Sequence, residues 1–71
     1  MPVVFIEAPP GIRPDAKKRL VERTTAALNE AYPIPDVRIF LREYPLKNAG
    51  WAGRLQSDNP EVVEAIKKLN G

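Results

Sequence analysis

The stretch Pro2-Val3-Val4-Phe5-Ile6 constrains this chain more than any other, because it is apolar on both faces. An unbroken run of β-branched and aromatic residues favours a strand, here Pro2 to Glu7. Side chains alternate along a strand, so Val4 and Ile6 share one face while Val3 and Phe5 share the other. A strand apolar on both faces is expected to be covered on both. The rest of the sequence decides whether the chain can supply that cover itself.

Ala8-Pro9-Pro10-Gly11 ends the strand. Pro14 to Tyr32 then reads as a helix, with Pro14 at its first position and Asp15 in the first turn, where a carboxylate complements the helix dipole. Leu20, Val21, Thr24, Ala27, Leu28 and Ala31 recur at helical spacing and form its apolar face. Lys17, Lys18, Arg19, Glu22 and Glu30 are assigned to the solvated face. Pro33 and Pro35 stop the helix. Val37 to Tyr44 reads as a second strand, with Val37, Ile39 and Leu41 on one face and Arg38, Phe40 and Arg42 on the other. Strand, helix and strand in this order predict a βαβ unit with parallel strands.

Pro45 to Asp58 is rich in turn residues, with a hairpin expected around Gly50-Trp51; a connection this long commonly forms a lid or binding loop. Asn59-Pro60-Glu61 starts a last helix, capped by Asn59. Val62, Val63, Ile66 and Leu69 are its apolar face, and Gly71 follows it. The fold class expected is α/β (α+β): a single βαβ unit, a loop or hairpin, and a short C-terminal helix. The 71 residues make one domain, 1–71, with residues 2–55 as βαβ core and loop and 59–70 as the terminal helix.

One helix covers one face of a two-stranded sheet. Nothing obvious in the chain covers the other, and two strands are too few for independent stability. A domain of this size buries only about 60% of its unfolded surface. Such scaffolds lean on disulfides, a metal or a partner. With no cysteine and no histidine in the chain, disulfides and the usual zinc sites are excluded. Oligomerisation is left, as a dimer at least. The net charge of +2, with both signs interspersed, argues against nucleic acid as partner and suits a small anionic substrate. No apolar run is long enough to span a membrane, and no signal peptide is evident. A cytoplasmic location is the expectation.

Without Cys or His, activated groups reduce to an amine, carboxylates and a tyrosine. Pro2 supplies the amine if Met1 is removed. An α-amino group titrates near pH 8 in water, roughly. Apolar surroundings and a nearby cation favour its neutral form, which serves as a general base. Met-Pro is also a common start with no chemical role. Arg38, in an otherwise apolar strand, is either the partner in an intersubunit salt bridge, a snorkelling surface group, or a fork for a substrate carboxylate. Trp51 is either a core residue or a wall over a pocket. Arg13, Arg42, Glu43, Tyr44 and Arg54 complete the polar candidates.

Met1-Pro2 opening a strand, Gly11 before the first helix, Val37-Arg38-Ile39 opening the second strand, Glu43, and Gly50-Trp51-Ala52-Gly53 follow one another at a characteristic spacing. Over residues 2 to 55 this order resembles the tautomerase superfamily, close to the short 4-oxalocrotonate tautomerase subgroup. The resemblance implies protomers that pair into a four-stranded sheet and often assemble into hexamers. It implies an isomerase that needs no cofactor, with processed Pro2 as general base acting on an enol or unsaturated keto acid. It implies Arg38, often from a neighbouring subunit, as the group that binds a carboxylate or polarises a carbonyl, and Trp51 as the aromatic over the site. The family's efficient muconate-type members carry Arg directly after the loop glycine. Here Ile12 stands there and Arg13 follows it, so Arg13 is the candidate for that role. The Glu and Arg of the dehalogenase branch have no counterparts at Ala52 and Pro9, so that chemistry is not expected. The alternative is a tautomerase-fold oligomer with a binding or structural role and no efficient catalysis.

Overall fold

Residues 3–8 and 38–43 have the strand-favouring composition described above, and they lie side by side as the parallel pair β1 (Val3–Ala8) and β2 (Arg38–Glu43). The register sets Val3 beside Arg38, Phe5 beside Phe40 and Ala8 beside Glu43. The computed structural model describes residues 1–70. Gly71, read above as following the last helix, lies outside them. Both strands start one residue later than the sequence suggested, with Pro2 and Val37 flanking the ladder.

The helix α1 (Pro14–Ala31) links the strands and runs back over one face of the sheet. Pro14 occupies its first turn, where a missing N–H costs nothing. Asp15 pairs there with Arg13 at 3.4 Å and with Arg19 at 3.3 Å. Tyr32 is the extended cap rather than a helical residue, its N–H donating to the Leu28 carbonyl at 2.7 Å. Val4, Ile6, Ile39 and Leu41 face the helix and are half-buried, as are Leu20, Thr24 and Leu28 opposite them. Val21, Ala27 and Ala31, expected on the same apolar face, are exposed. Neighbouring strands are only about 5 Å apart, so a two-stranded sheet is too narrow to reach beyond one stripe of the helix.

Lys17 departs from its assignment to the solvated face. It lies three residues before Leu20, hence on the same side of the helix. Its ammonium meets the Glu43 carboxylate at 3.0 Å, tying the start of α1 to the end of β2.

The connection after β2 is structured. A 3-10 turn at Leu46–Asn48 leads into a hairpin of β3 (Gly50–Trp51) and β4 (Arg54–Leu55), and a second turn at Gln56–Asp58 follows. Ala52 and Gly53 form the hairpin tip with φ of 53° and 83°. Positive φ at both central positions is the turn whose twist matches the strands it joins, and glycine adopts it without strain. The helix α2 (Pro60–Asn70) ends the described chain. Asn59 caps it as expected: its Oδ1 accepts from the Glu61 N–H at 3.1 Å. The helix sits beside the second 3-10 turn, with Val62, Val63 and Ile66 half-buried.

Among the described residues no side chain is fully buried. The Cα radius of gyration is 14.9 Å and the extents are 43 × 27 × 14 Å. A rounded domain of this length would have a radius of gyration of about 11 Å. The hairpin and α2 pack mainly on their own 3-10 turns and extend away from the sheet, and the second face of the sheet stays uncovered. Phe5 and Phe40 stack there at 5.3 Å between ring centroids, yet they stay 62% and 50% exposed. β1 therefore has cover on one face only.

Candidate active site

Pro2 sits where the start of β1 meets the end of α1. Its carbonyl accepts a hydrogen bond from the Arg38 N–H at 3.0 Å, which fixes the start of β2 beside it. A cavity of about 380 Å³ opens around it, lined by Met1, Pro2, Val3, Val4, Leu28, Tyr32 and Ile34. Leu28 comes from the last turn of α1. Tyr32 and Ile34 come from the segment that Pro33 and Pro35 turn back towards the sheet, with the Ile34 N–H on the Tyr32 carbonyl at 2.6 Å. The lining side chains are apolar apart from Tyr32, but the cavity is open to solvent and its surface is almost as much polar as apolar. With Met1 attached, the Pro2 nitrogen is an amide and has no basicity; its release makes it a secondary amine inside this cavity.

Arg38 opens β2 on the face away from α1. Its Nε and Nη2 donate to Oδ1 and Oδ2 of Asp36, both at 3.4 Å. Asp36 and Arg38 are two residues apart in extended chain, so their side chains project the same way. The guanidinium is thus neither an unpaired buried charge nor a simple snorkelling group. It holds a local carboxylate through its fork.

Arg13 is not beside Pro2 within the protomer. It lies past the far end of β1, roughly 20 Å of extended strand away, and its Nε is 3.4 Å from Asp15. Trp51 stands on β3, reached from that same end of β2, and is 77% exposed. That rules out the core reading of Trp51 in a single chain. Of the proposed site residues, Pro2 and Arg38 share only a backbone hydrogen bond at one end of the sheet. The cavity opens on the α1 side, while the Arg38 side chain projects from the opposite face and does not line it. Arg13 and Trp51 are held at the other end.

The remaining candidates have structural partners. Arg42 meets Glu7 across the strands at 3.4 Å and lies over the Phe5 ring at 5.8 Å. Glu43 holds Lys17. The Tyr44 N–H extends the ladder to the Ala8 carbonyl at 3.0 Å. Arg54 donates from Nη2 to the Asp58 carbonyl at 3.0 Å, bracing the hairpin against the second 3-10 turn.

Sequence reasoning missed Leu28, Tyr32 and Ile34 as walls around Pro2, and Asp36 as the partner of Arg38. The prolines at 33 and 35 were a usable signal. Proline fixes φ, so a Pro-x-Pro segment between helix and strand directs its intervening side chain as well as stopping the helix.

The sequence model of the tautomerase enzyme family matches residues 2–59. The chain is similar to a 4-oxalocrotonate tautomerase homologue of known crystal structure, with 30% identity, a TM-score of 0.78, and coverage of 83% of this chain and 97% of that one. A second homologue, TomN of the tomaymycin biosynthetic pathway, has 26% identity and a TM-score of 0.78, covering 84% of this chain and 95% of that one. A heterohexamer 4-oxalocrotonate tautomerase from Chloroflexus aurantiacus shares the fold at 23% identity, with a TM-score of 0.75 and coverage of 83% and 98%. No curated protein matches the chain.

Proposed function

The chain belongs to the tautomerase family, close to the 4-oxalocrotonate tautomerase subgroup, and we propose that it is a cofactor-independent keto–enol tautomerase acting on a small unsaturated keto or enol carboxylic acid. The observation that carries the proposal is the position of Pro2: it lines a cavity walled mainly by apolar side chains while its carbonyl is bonded to the N–H of Arg38. After removal of Met1, the Pro2 nitrogen is a free amine held by the strand behind it. Apolar walls disfavour its charged form. The amine takes a proton from a substrate carbon or hydroxyl, an enolate or dienolate forms, and the same proton returns to a different atom. Proton transfer by a positioned base contributes about 10²–10⁴-fold. Arg38 projects from the face opposite its own Pro2 cavity, so the Arg38 that holds the carboxylate or steadies the developing enolate oxygen comes from a neighbouring copy.

Arg13 and Trp51 serve this chemistry from a neighbouring copy of the chain, since each protomer keeps them away from its own Pro2. The open Phe5–Phe40 face and the heterohexamer relative support an assembled state, as a dimer or a hexamer. The second reading keeps the fold and omits efficient catalysis. The closed Arg38–Asp36 pair favours it, because the carboxylate fork is already engaged.

The test adds one residue before Pro2 and compares it with the processed protein, with processing checked by intact mass. The added residue makes the nitrogen an amide, so isomerisation of keto acids should vanish while the circular dichroism spectrum is unchanged. The processed protein should show kcat/KM rising with pH up to about pH 8, as the free amine loses its proton. Full activity in the extended variant would move the base to Glu7, Glu43 or Tyr44.

A further inference from the structure

The position of Asp36 goes beyond that reading, and rests on its assignment of Arg38 as the carboxylate-binding group. We infer that Asp36 is an internal competitor for the substrate carboxylate, and so sets how strongly the site prefers anionic substrates. The two Asp36 oxygens meet Nε and Nη2 of Arg38 at 3.4 Å each. This side-on, two-point contact is the geometry with which a guanidinium receives any carboxylate. A substrate carboxylate approaching the same edge must displace Asp36. One approaching the other edge still meets the negative charge of Asp36 a few ångströms away.

The contact is built to be displaced. Both side chains are more than half exposed, and an exposed ion pair is weak and screened by salt. Val37 between them is half-buried, so the backbone stays in place when the Asp36 side chain turns away. The other charges near the strand ends are engaged elsewhere: Glu7 with Arg42, and Glu43 with Lys17 on the opposite face. Asp36 is the carboxylate that the local structure gives to Arg38. It is therefore a specificity-determining residue that acts through Arg38, and it is not a catalytic one.

The test uses Asp36→Asn, which keeps the shape and removes the charge. Benzoate, a carboxylate that cannot isomerise, is titrated into the ¹⁵N-labelled processed assembly while the Arg38 Nε–H resonance is followed. The expected result is benzoate binding about two- to fivefold tighter in the variant, the range for loss of an exposed ion pair, with the difference shrinking at high salt. Arg38→Ala should abolish the response of the site to benzoate. With an isomerisable keto acid, the variant should lower KM by the same factor and leave kcat unchanged. With an uncharged enol ketone, neither constant should move. Benzoate binding that is unchanged or weaker in Asp36→Asn overturns the inference; a weaker value would mean that Asp36 holds Arg38 in its working orientation. Tighter benzoate binding in a protein that isomerises nothing would uphold the competitor role and sink the tautomerase proposal instead.

Discussion

Replacing Phe40 by Asp should break the assembly. Phe5 and Phe40 are 62% and 50% exposed on the uncovered face of the sheet. A phenylalanine presents about 200 Å² of surface, so the pair leaves roughly 220 Å² open to water. At about 25 cal/mol per Å², covering it is worth about 5 kcal/mol per protomer, of which Phe40 supplies about 2.5 kcal/mol. The stack with Phe5 lies within the protomer, so its loss weakens the protomer itself by about 1 kcal/mol and does not count towards association. The new carboxylate adds a desolvation penalty on assembly. Even without that penalty, about 2.5 kcal/mol corresponds to an association constant weaker by a factor of about 70. Sedimentation velocity at micromolar concentration reads this directly, with circular dichroism alongside. The variant should sediment as a smaller species and melt at lower temperature, because the protomer has no buried core to fall back on. A variant that sediments with the wild-type assembly would show that this face is not the one a neighbour covers.

Two further outcomes follow from the structure. Arg38→Ala should lower kcat/KM for keto acids by about 10²-fold, the effect of losing a charged contact at a desolvated transition state, while sedimentation stays unchanged because its ion pair with Asp36 is local, exposed and worth at most about 1 kcal/mol. Ala52→Gly should stabilise the protein by about 0.5–1 kcal/mol, since Ala52 holds a φ of 53° that costs a side-chain-bearing residue about 1–2 kcal/mol, partly offset by the greater freedom of glycine in the unfolded chain; a lower Tm in differential scanning calorimetry would contradict this.

The fold was readable where one physical signal acted alone. An unbroken apolar run located β1 and alternation located β2, Pro14 and Asn59 marked the helix starts, and Pro33 marked the stop. Signals were misread where the missing information was tertiary. Val21, Ala27 and Ala31 carry the right period for an apolar face, but the width of the sheet decides which of them is covered. Lys17 looks like one member of a basic run, and only the position of Glu43 shows that it turns inward. The site divides the same way. Pro2 and Arg38 could be placed at the same end of the sheet from strand order, because parallel strands joined by one helix start at the same end. Arg13 and Trp51 could be named from spacing but not placed. Asp36 was overlooked because a carboxylate two residues from an arginine becomes a pair only when the intervening chain is extended.

The absent core and the divided site have one cause. The chain spends its single long helix on the Val4–Ile6 face of the sheet, and this leaves Phe5, Phe40 and the outward row of β2 to be covered by something else. Arg38 belongs to that same outward row, so whatever covers the phenylalanines also approaches the fork of Arg38 and lowers the water content around it. The hairpin presents Trp51 on a short, braced turn at the far end, where Arg54 and Asp58 hold its base. An indole so exposed makes little contact within its own protomer, and holding it there is useful only against another surface. The cavity at Pro2 is such a surface, open and walled mainly by apolar side chains. Association that buries the phenylalanines would also dry Arg38, and a guanidinium in drier surroundings binds an anion more strongly. Assembly would then cover the face that carries Arg38, and a change that loosens it should weaken anion binding at Arg38 even where no residue touching the anion is altered.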